Sequence, residues 1–71
     1  MQIGKEHRLL IADRIRVILE QKGLRQQDLA ERSGFSKSYI SLIMSGQMNI
    51  TLETVQTLEK ALGAAIIKVL W

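Results

Sequence analysis

The stretch between Glu31 and Glu53 contains no Asp or Glu, and its residue types are suited to binding a polyanion. It carries basic and hydroxyl side chains, with Lys37 and Ser38 at the start of a short periodic segment. A surface that approaches phosphates excludes negative charge, because a carboxylate there would be repelled. A solvated surface could also lack carboxylates by chance, so both interpretations stay open at this point.

The usual sequence patterns of enzymes and metal proteins are absent. The single histidine, His7, is interpreted as a solvated residue of the first helix. Asp28 and Glu31 lie on one predicted helix, where a solvated face explains them better than an acid–base pair. The sequence has no cysteine, no cluster of metal ligands and no glycine-rich phosphate loop. We therefore expect neither an enzyme nor a bound cofactor.

Length and charge indicate one small domain over residues 1–71. A chain of 71 residues lies near the lower limit for a single stable core, and no disulfide is available to support it. Ten basic and seven acidic residues give only a mild positive charge. No apolar stretch is long enough to span a bilayer, and no signal-peptide pattern opens the chain. The lack of cysteine fits a reducing compartment, so we expect a cytoplasmic protein. Because the apolar stretches are short, we expect no membrane partner.

Apolar spacing and helix-terminating residues predict an all-α fold. Ser36 and Thr51 are suited to cap the third and fourth helices, because their hydroxyls can accept a backbone hydrogen bond. Gly34 suits the tight turn between the second and third helices. We expect a compact four- to five-helix domain with a helical core over residues 5–63. The four main helices are predicted over residues 5–22, 26–33, 37–44 or 45, and 52–62.

Residues 24–46 read as two short helices joined by a tight glycine turn. The second of these helices presents a small polar surface at its N-terminal end. This is the layout of a helix-turn-helix, in which one helix rests on the DNA backbone and the next enters the major groove.

The segment GLRQQDLAERSGFSKSYISLIMSG resembles the helix-turn-helix of the phage repressor and Cro type, the XRE family. The resemblance covers about residues 11–63. It implies a sequence-specific transcriptional regulator, expected to be a repressor, that binds double-stranded DNA. The most specific elements, all at the family's spacing, are Gln26, Leu29, Ala30, Gly34, Ser36, Ile40 and Gly46.

The resemblance also implies two sets of DNA contacts. On the outward face of the third helix, Lys37 could donate to guanine, Ser38 could pair with several bases and Leu42 could meet a thymine methyl. So short a surface suggests modest direct readout and a larger contribution from DNA shape. Tyr39 could instead pack its ring on the protein surface, and Thr51 could serve only as a cap. The expected base-reading residues are Lys37, Ser38, Ser41 and Leu42; the expected phosphate-binding residues are Arg25, Gln26, Gln27, Tyr39, Ser45, Gln47, Asn49 and Thr51.

Three residues depart from the family pattern. Arg25 stands where the family usually has Ser or Thr to cap the second helix, and losing such a cap typically costs about 1 kcal/mol. Leu19 and Met44 stand where repressors often place an Arg–Glu pair. Replacing both ends of a buried ion pair with apolar groups can be neutral or stabilising. We therefore expect Leu19 and Met44 to be in contact; the alternative is that each is an independent surface or interface residue.

The tail over residues 64–71 is rich in β-branched residues and predicts a short strand. One strand cannot satisfy its own backbone hydrogen bonds, so the simplest partner is the same segment of a second copy, paired about a two-fold axis. A fifth helix, or a tail packed on the first helix, is the alternative. Such a dimer would place two recognition helices about 34 Å apart on a near-palindromic site. The expected dimer contacts are Ile66, Ile67, Val69, Leu70 and Trp71.

A second function is also compatible with the sequence. The segment NITLETVQTLEKALGAAIIKV is similar to antitoxins of the HipB and HigA kinds, in which a strand after the last helix helps to form the dimer. That resemblance implies a protein that binds a toxin and regulates its own synthesis through DNA. The extra apolar residues Leu9, Leu10 and Val17 could serve such a partner, or only the protein's own dimer. A membrane-surface role of the first helix is disfavoured, because acidic residues interleave with its arginines.

Overall fold

The computed structural model describes residues 3–66, which form four α-helices. No β-strand occurs within these described residues, in agreement with the predicted all-α class. The helix bounds agree with those predicted from apolar spacing and capping residues. The helices are α1 (Lys5–Lys22), α2 (Gln26–Ser33), α3 (Lys37–Met44) and α4 (Leu52–Leu62).

The predicted caps of α3 and α4 are confirmed. The Ser36 hydroxyl accepts a hydrogen bond from the Tyr39 N–H at 3.0 Å, and the Thr51 hydroxyl accepts one from the Thr54 N–H at 3.3 Å. Gly34 closes the turn between α2 and α3 with φ +81°, in the left-handed region that strains other residues. Local chemistry therefore sets where α3 begins relative to α2.

One apolar core lies between the helices. α2 packs against α3 and α4, and α1 packs against α3. No charged or polar side chain is buried among the described residues. Leu19 and Met44 are both buried in this core. Burial is what the apolar replacement of an ion pair requires, and direct contact between the two side chains stays a prediction. The most completely buried side chains are Ile11, Ile15, Leu29, Ile40, Val55, Leu58 and Ile66.

α1 approaches the end of α3 closely at Gly46. This glycine is buried with φ +72°, and a Cβ atom there would lie 2.5 Å from Leu9 Cδ2 and 3.4 Å from Leu9 Cα. The Arg16 guanidinium lies 3.5 Å from the Met44 carbonyl oxygen, where a positive charge favours a helix C-terminus. α1 therefore holds the C-terminal end of α3, which leaves the N-terminal end free to project.

The segment after α4 differs from the predicted strand as far as it is described. Ile66 is fully buried in the core of its own chain, and its N–H donates to Glu59 Oε2 at 2.7 Å. A carboxylate of α4 thus takes the backbone hydrogen bond that a strand partner was expected to accept. The structure therefore places Ile66 in the core rather than on the predicted dimer surface. The other predicted dimer contacts, Ile67, Val69, Leu70 and Trp71, lie outside the described residues.

Candidate nucleic-acid interface

The predicted base-reading residues share one exposed face of α3. Lys37, Ser38, Ser41 and Leu42 are all exposed, Leu42 to 52% of its surface. Their spacing of one, four and five residues from Lys37 places them on adjacent turns of the helix. The opposite face carries the buried core residues Ile40, Ile43 and Met44. α3 is thus anchored by one face and presents the other to solvent, which is the condition for entering a groove.

The chemistry of this face is simple. Lys37 supplies a long cationic donor at the first position of α3, while Ser38 and Ser41 supply short hydroxyl groups that can donate or accept. Leu42 adds apolar surface. Because only Lys37 reaches far from the helix, the face can hydrogen-bond to few base edges.

Tyr39 is half-buried, and its ring packs edge-on against Phe35. The two ring centroids lie 4.8 Å apart with an interplanar angle of 69°. This geometry is typical of a stabilising aromatic pair. The ring therefore has the packing role considered as the alternative interpretation, and phosphate binding by its hydroxyl stays a prediction.

The N-terminal end of α2 has no side-chain cap. Arg25 has only donor groups, so its side chain cannot accept from the first-turn amides. At this helix start the Arg25 N–H instead donates a hydrogen bond of 2.8 Å to Asp28 Oδ2. Arg25, Gln26 and Gln27 are all exposed around these amides. The missing cap predicted from the sequence is thereby confirmed, and the end of α2 offers uncapped donors beside a guanidinium.

Three of the predicted phosphate contacts after α3 have partners within the protein. The Ser45 hydroxyl donates to the Leu42 carbonyl at 2.6 Å and accepts from the Gln47 N–H at 3.3 Å. Asn49 Oδ1 accepts a hydrogen bond from the Arg8 guanidinium, and Thr51 caps α4. Gln47 and Asn49 keep exposed side chains. The loop is therefore held by hydrogen bonds within the protein. One of them comes from Arg8, which no sequence pattern indicated.

The carboxylate-free part of this interface is α3 and the loop after it, whereas the Asp28 carboxylate lies in the first turn of α2. No carboxylate occurs between Glu31 and Glu53, so the exposed face of α3 and the following loop carry none. Glu53 lies in the first turn of α4, where hydrogen bonds from its own backbone N–H and from Thr51 lower the pKa of its carboxyl. The electrostatic condition for approaching phosphates is thus met by α3 and its loop.

This arrangement of α2 and α3 agrees with a helix-turn-helix family profile, which matches residues 15–67. The chain belongs to the XRE family of helix-turn-helix proteins. The expected resemblance is thereby confirmed.

Relatives within the family are named as regulators and controllers. The HTH-type transcriptional regulator y4dJ of Sinorhizobium fredii is 36% identical over 58 residues, which cover 82% of this chain and 75% of that protein. The control protein C.SmaI of Serratia marcescens is 34% identical over 61 residues, covering 86% and 73%. Among solved structures, the controller protein C.Esp1396I, a tetramer in complex with its natural 35 base-pair operator, superposes with a TM-score of 0.79 at 26% identity. That match covers 90% of this chain and 84% of that chain.

The family and fold are those of DNA-binding transcription regulators rather than of enzymes. The named relatives give no support to the antitoxin alternative. Within residues 3–66, no group of three or more His, Asp or Glu side chains is placed to hold a metal ion. None of the helices in that range is long and apolar enough to cross a membrane.

Proposed function

We propose that this protein is a sequence-specific transcriptional repressor that binds a near-palindromic DNA duplex as a homodimer. The observation that carries the proposal is the exposed face of α3 with Lys37, Ser38 and Ser41, on a surface free of carboxylates. The core holds the opposite face of the same helix, so this polar face can enter the major groove without unfolding any part of the protein.

The two helices of the motif are assigned different tasks. The uncapped amides at the start of α2, together with Arg25 and Gln26, bind a phosphate and fix the orientation of the protein on the duplex. Lys37 then donates to O6 and N7 of a guanine, and the serines of α3 contact neighbouring base edges. Phosphate contacts supply most of the affinity, and α3 supplies the sequence preference.

Dimerisation is part of the proposal because one reading face is small. A single copy offers one long donor, Lys37, so two copies on one duplex are needed for a selective site. The controller protein C.Esp1396I is named as a tetramer on its operator, which supports oligomeric binding for a relative of this fold. Repression requires only that a bound dimer occupy DNA that the transcription machinery needs.

Selection of preferred duplexes from a random library tests this function. The wild-type protein is expected to enrich a symmetric sequence whose half-sites are separated by about one helical turn. Lys37→Ala should lose preference at one base pair in each half-site, worth about 1–3 kcal/mol of discrimination. Lys22→Ala is the matched control, because it removes the same charge from the last turn of α1. It should keep the wild-type consensus even if affinity falls.

Two results would contradict the proposal. Equal enrichment of the same sequence by the wild type and by Lys37→Ala would remove Lys37 from the reading surface. A consensus containing a single, asymmetric half-site would contradict the homodimer.

An antitoxin function is supported by one observation only, the three exposed apolar side chains of α1. Leu9, Leu10 and Val17 are 50%, 46% and 41% exposed. An antitoxin would purify as a stoichiometric complex with a toxin encoded beside it. Tight, salt-dependent binding of the selected duplex by this chain alone favours the regulator.

A further inference from the structure

A hydrogen bond joins α1 to the loop between α3 and α4. Arg8 Nη1 donates to Asn49 Oδ1, across a separation of 41 residues in the sequence. The Arg8 side chain is half-buried, and its Nε atom is covered without a hydrogen-bond partner among the described residues. Covering of Nε restricts where the rest of the guanidinium can lie, so Arg8 meets Asn49 in a defined position.

The same loop is held at two further points by the beginning of the chain. The Ile3 N–H donates to the Ile50 carbonyl at 2.9 Å, and both isoleucine side chains are buried. Gly46, at the other end of the loop, packs directly against Leu9 of α1. The backbone on either side of Asn49 is therefore held by the N-terminal part of the chain, and the Asn49 side chain is the part that Arg8 contacts.

The donor chemistry of arginine determines the orientation of the Asn49 amide. A guanidinium has five N–H donors and no acceptor, so the amide atom that faces it must be the oxygen. The amide nitrogen, with its two N–H groups, is then directed away from Arg8. Because Asn49 is exposed, these donors are available to an anion outside the protein.

We propose that Arg8 is a positioning residue that orients the Asn49 amide to donate a hydrogen bond to a DNA phosphate. The proposal rests on the DNA-binding function above and adds that Arg8 orients the side chain that makes one of the phosphate contacts. Without Arg8, the amide would also adopt the flipped orientation, which turns the carbonyl oxygen toward the phosphate and is repelled by it.

A double-mutant cycle tests the coupling, with affinity measured on the duplex selected by the wild type. Asn49→Ala should lower affinity about tenfold, the usual worth of a hydrogen bond to a charged group. Arg8→Met should lower affinity several-fold in the wild-type background and have little further effect in the Asn49→Ala background. Arg8→Lys, which keeps the charge and a donor, should recover part of the affinity. Thermal unfolding of each variant establishes that binding is measured on folded protein.

Two further measurements separate positioning from direct contact and from a purely structural role. Arg8→Met should leave the salt dependence of binding nearly unchanged, whereas loss of a direct arginine–phosphate contact would reduce its slope by about one per half-site. Replacing single phosphates with neutral methylphosphonates should identify one position in each half-site at which the wild type loses affinity. Asn49→Ala and Arg8→Met should both be insensitive at that position.

Arg14→Met is the matched control. Arg14 lies on the same helix, is also half-buried and also has a covered Nε without a partner among the described residues. Its replacement should have the same effect on affinity whether residue 49 is Asn or Ala.

Equal effects of Arg8→Met in the two Asn49 backgrounds would overturn the proposal, and so would an Asn49→Ala variant with wild-type affinity. If Lys37→Ala still changes base preference in that case, only the positioning role fails. If Lys37→Ala also behaves as the wild type, the proposed function fails with it.

Discussion

The N-terminal ends of α2 and α3 differ, although both helices have eight residues and both begin with exposed polar side chains. Ser36 caps α3 by accepting from the Tyr39 amide at 3.0 Å. Arg25 precedes α2 at the equivalent position and cannot accept, so only the reverse hydrogen bond, from its own N–H to Asp28, is formed. The third amide of α3 therefore has an acceptor within the protein, whereas the corresponding amide of α2 has no side-chain acceptor.

This difference fits the two tasks of a helix-turn-helix. An uncapped start next to a guanidinium has backbone donors and positive charge for a phosphate. The Ser36 cap takes the third amide of α3, so fewer backbone donors are free there, and the exposed side chains after Ser36 are the main groups available for recognition. Under the proposed function, the stability given up with the cap of α2 leaves a backbone donor for a phosphate.

Arg25→Ser is expected to have the largest effect, because it should change stability and DNA binding in opposite directions. The serine would cap α2 and raise the free energy of unfolding by about 1 kcal/mol, or the melting temperature by roughly 4–8 °C. DNA affinity should fall, because a donor is satisfied internally and a charge is lost. The slope of log affinity against log salt should decrease by about one per half-site.

The control for this substitution is Arg32→Ser, which removes an exposed charge from the last turn of α2 and creates no cap. It should not stabilise the protein. An Arg25→Ser protein that binds the selected duplex as tightly as the wild type would show that the open end of α2 does not bind phosphate.

Ser36→Ala should produce a smaller and purely structural effect. Loss of the hydroxyl leaves the Tyr39 amide without its acceptor, which lowers the free energy of unfolding by about 1 kcal/mol. The salt dependence of DNA binding should stay unchanged, because no phosphate donor or charge is removed. Chemical denaturation and a salt titration measure the two quantities. Ser38→Ala, an exposed neighbour without a capping role, should change stability by only a few tenths of a kcal/mol, and equal losses in both variants would contradict the assigned cap.

Helix boundaries and caps could be predicted from the sequence because their causes are local. Ser36, Thr51 and the glycines after the helices act within a few residues of themselves. The bracing of the loop could not be predicted, since Arg8 and Asn49 are 41 residues apart and share no recognisable pattern. Ile66 was predicted as a strand residue from its β-branched neighbours. Its actual environment depends on Glu59 and on core burial, which only the packed fold determines.

The start of α4 extends the comparison, because it combines a hydroxyl cap with an acid and gives the smallest expected effect. Hydrogen bonds from the Glu53 backbone N–H and from Thr51 lower the pKa of the Glu53 carboxyl below its usual value of 4.5. The charged carboxylate therefore favours the folded state above pH 4.5, and this contribution is lost as the pH falls through the lowered pKa.

Glu53→Gln should be slightly less stable than the wild type at pH 7 and should lose less stability on acidification, as measured by urea midpoints at pH 7 and pH 3. In a Thr51→Ala background the same substitution should change the acid dependence less, because one of the two hydrogen bonds is already missing. If wild type and Glu53→Gln lose equal stability between these pH values, the carboxylate has no role at this helix start, and hydroxyl capping alone accounts for it.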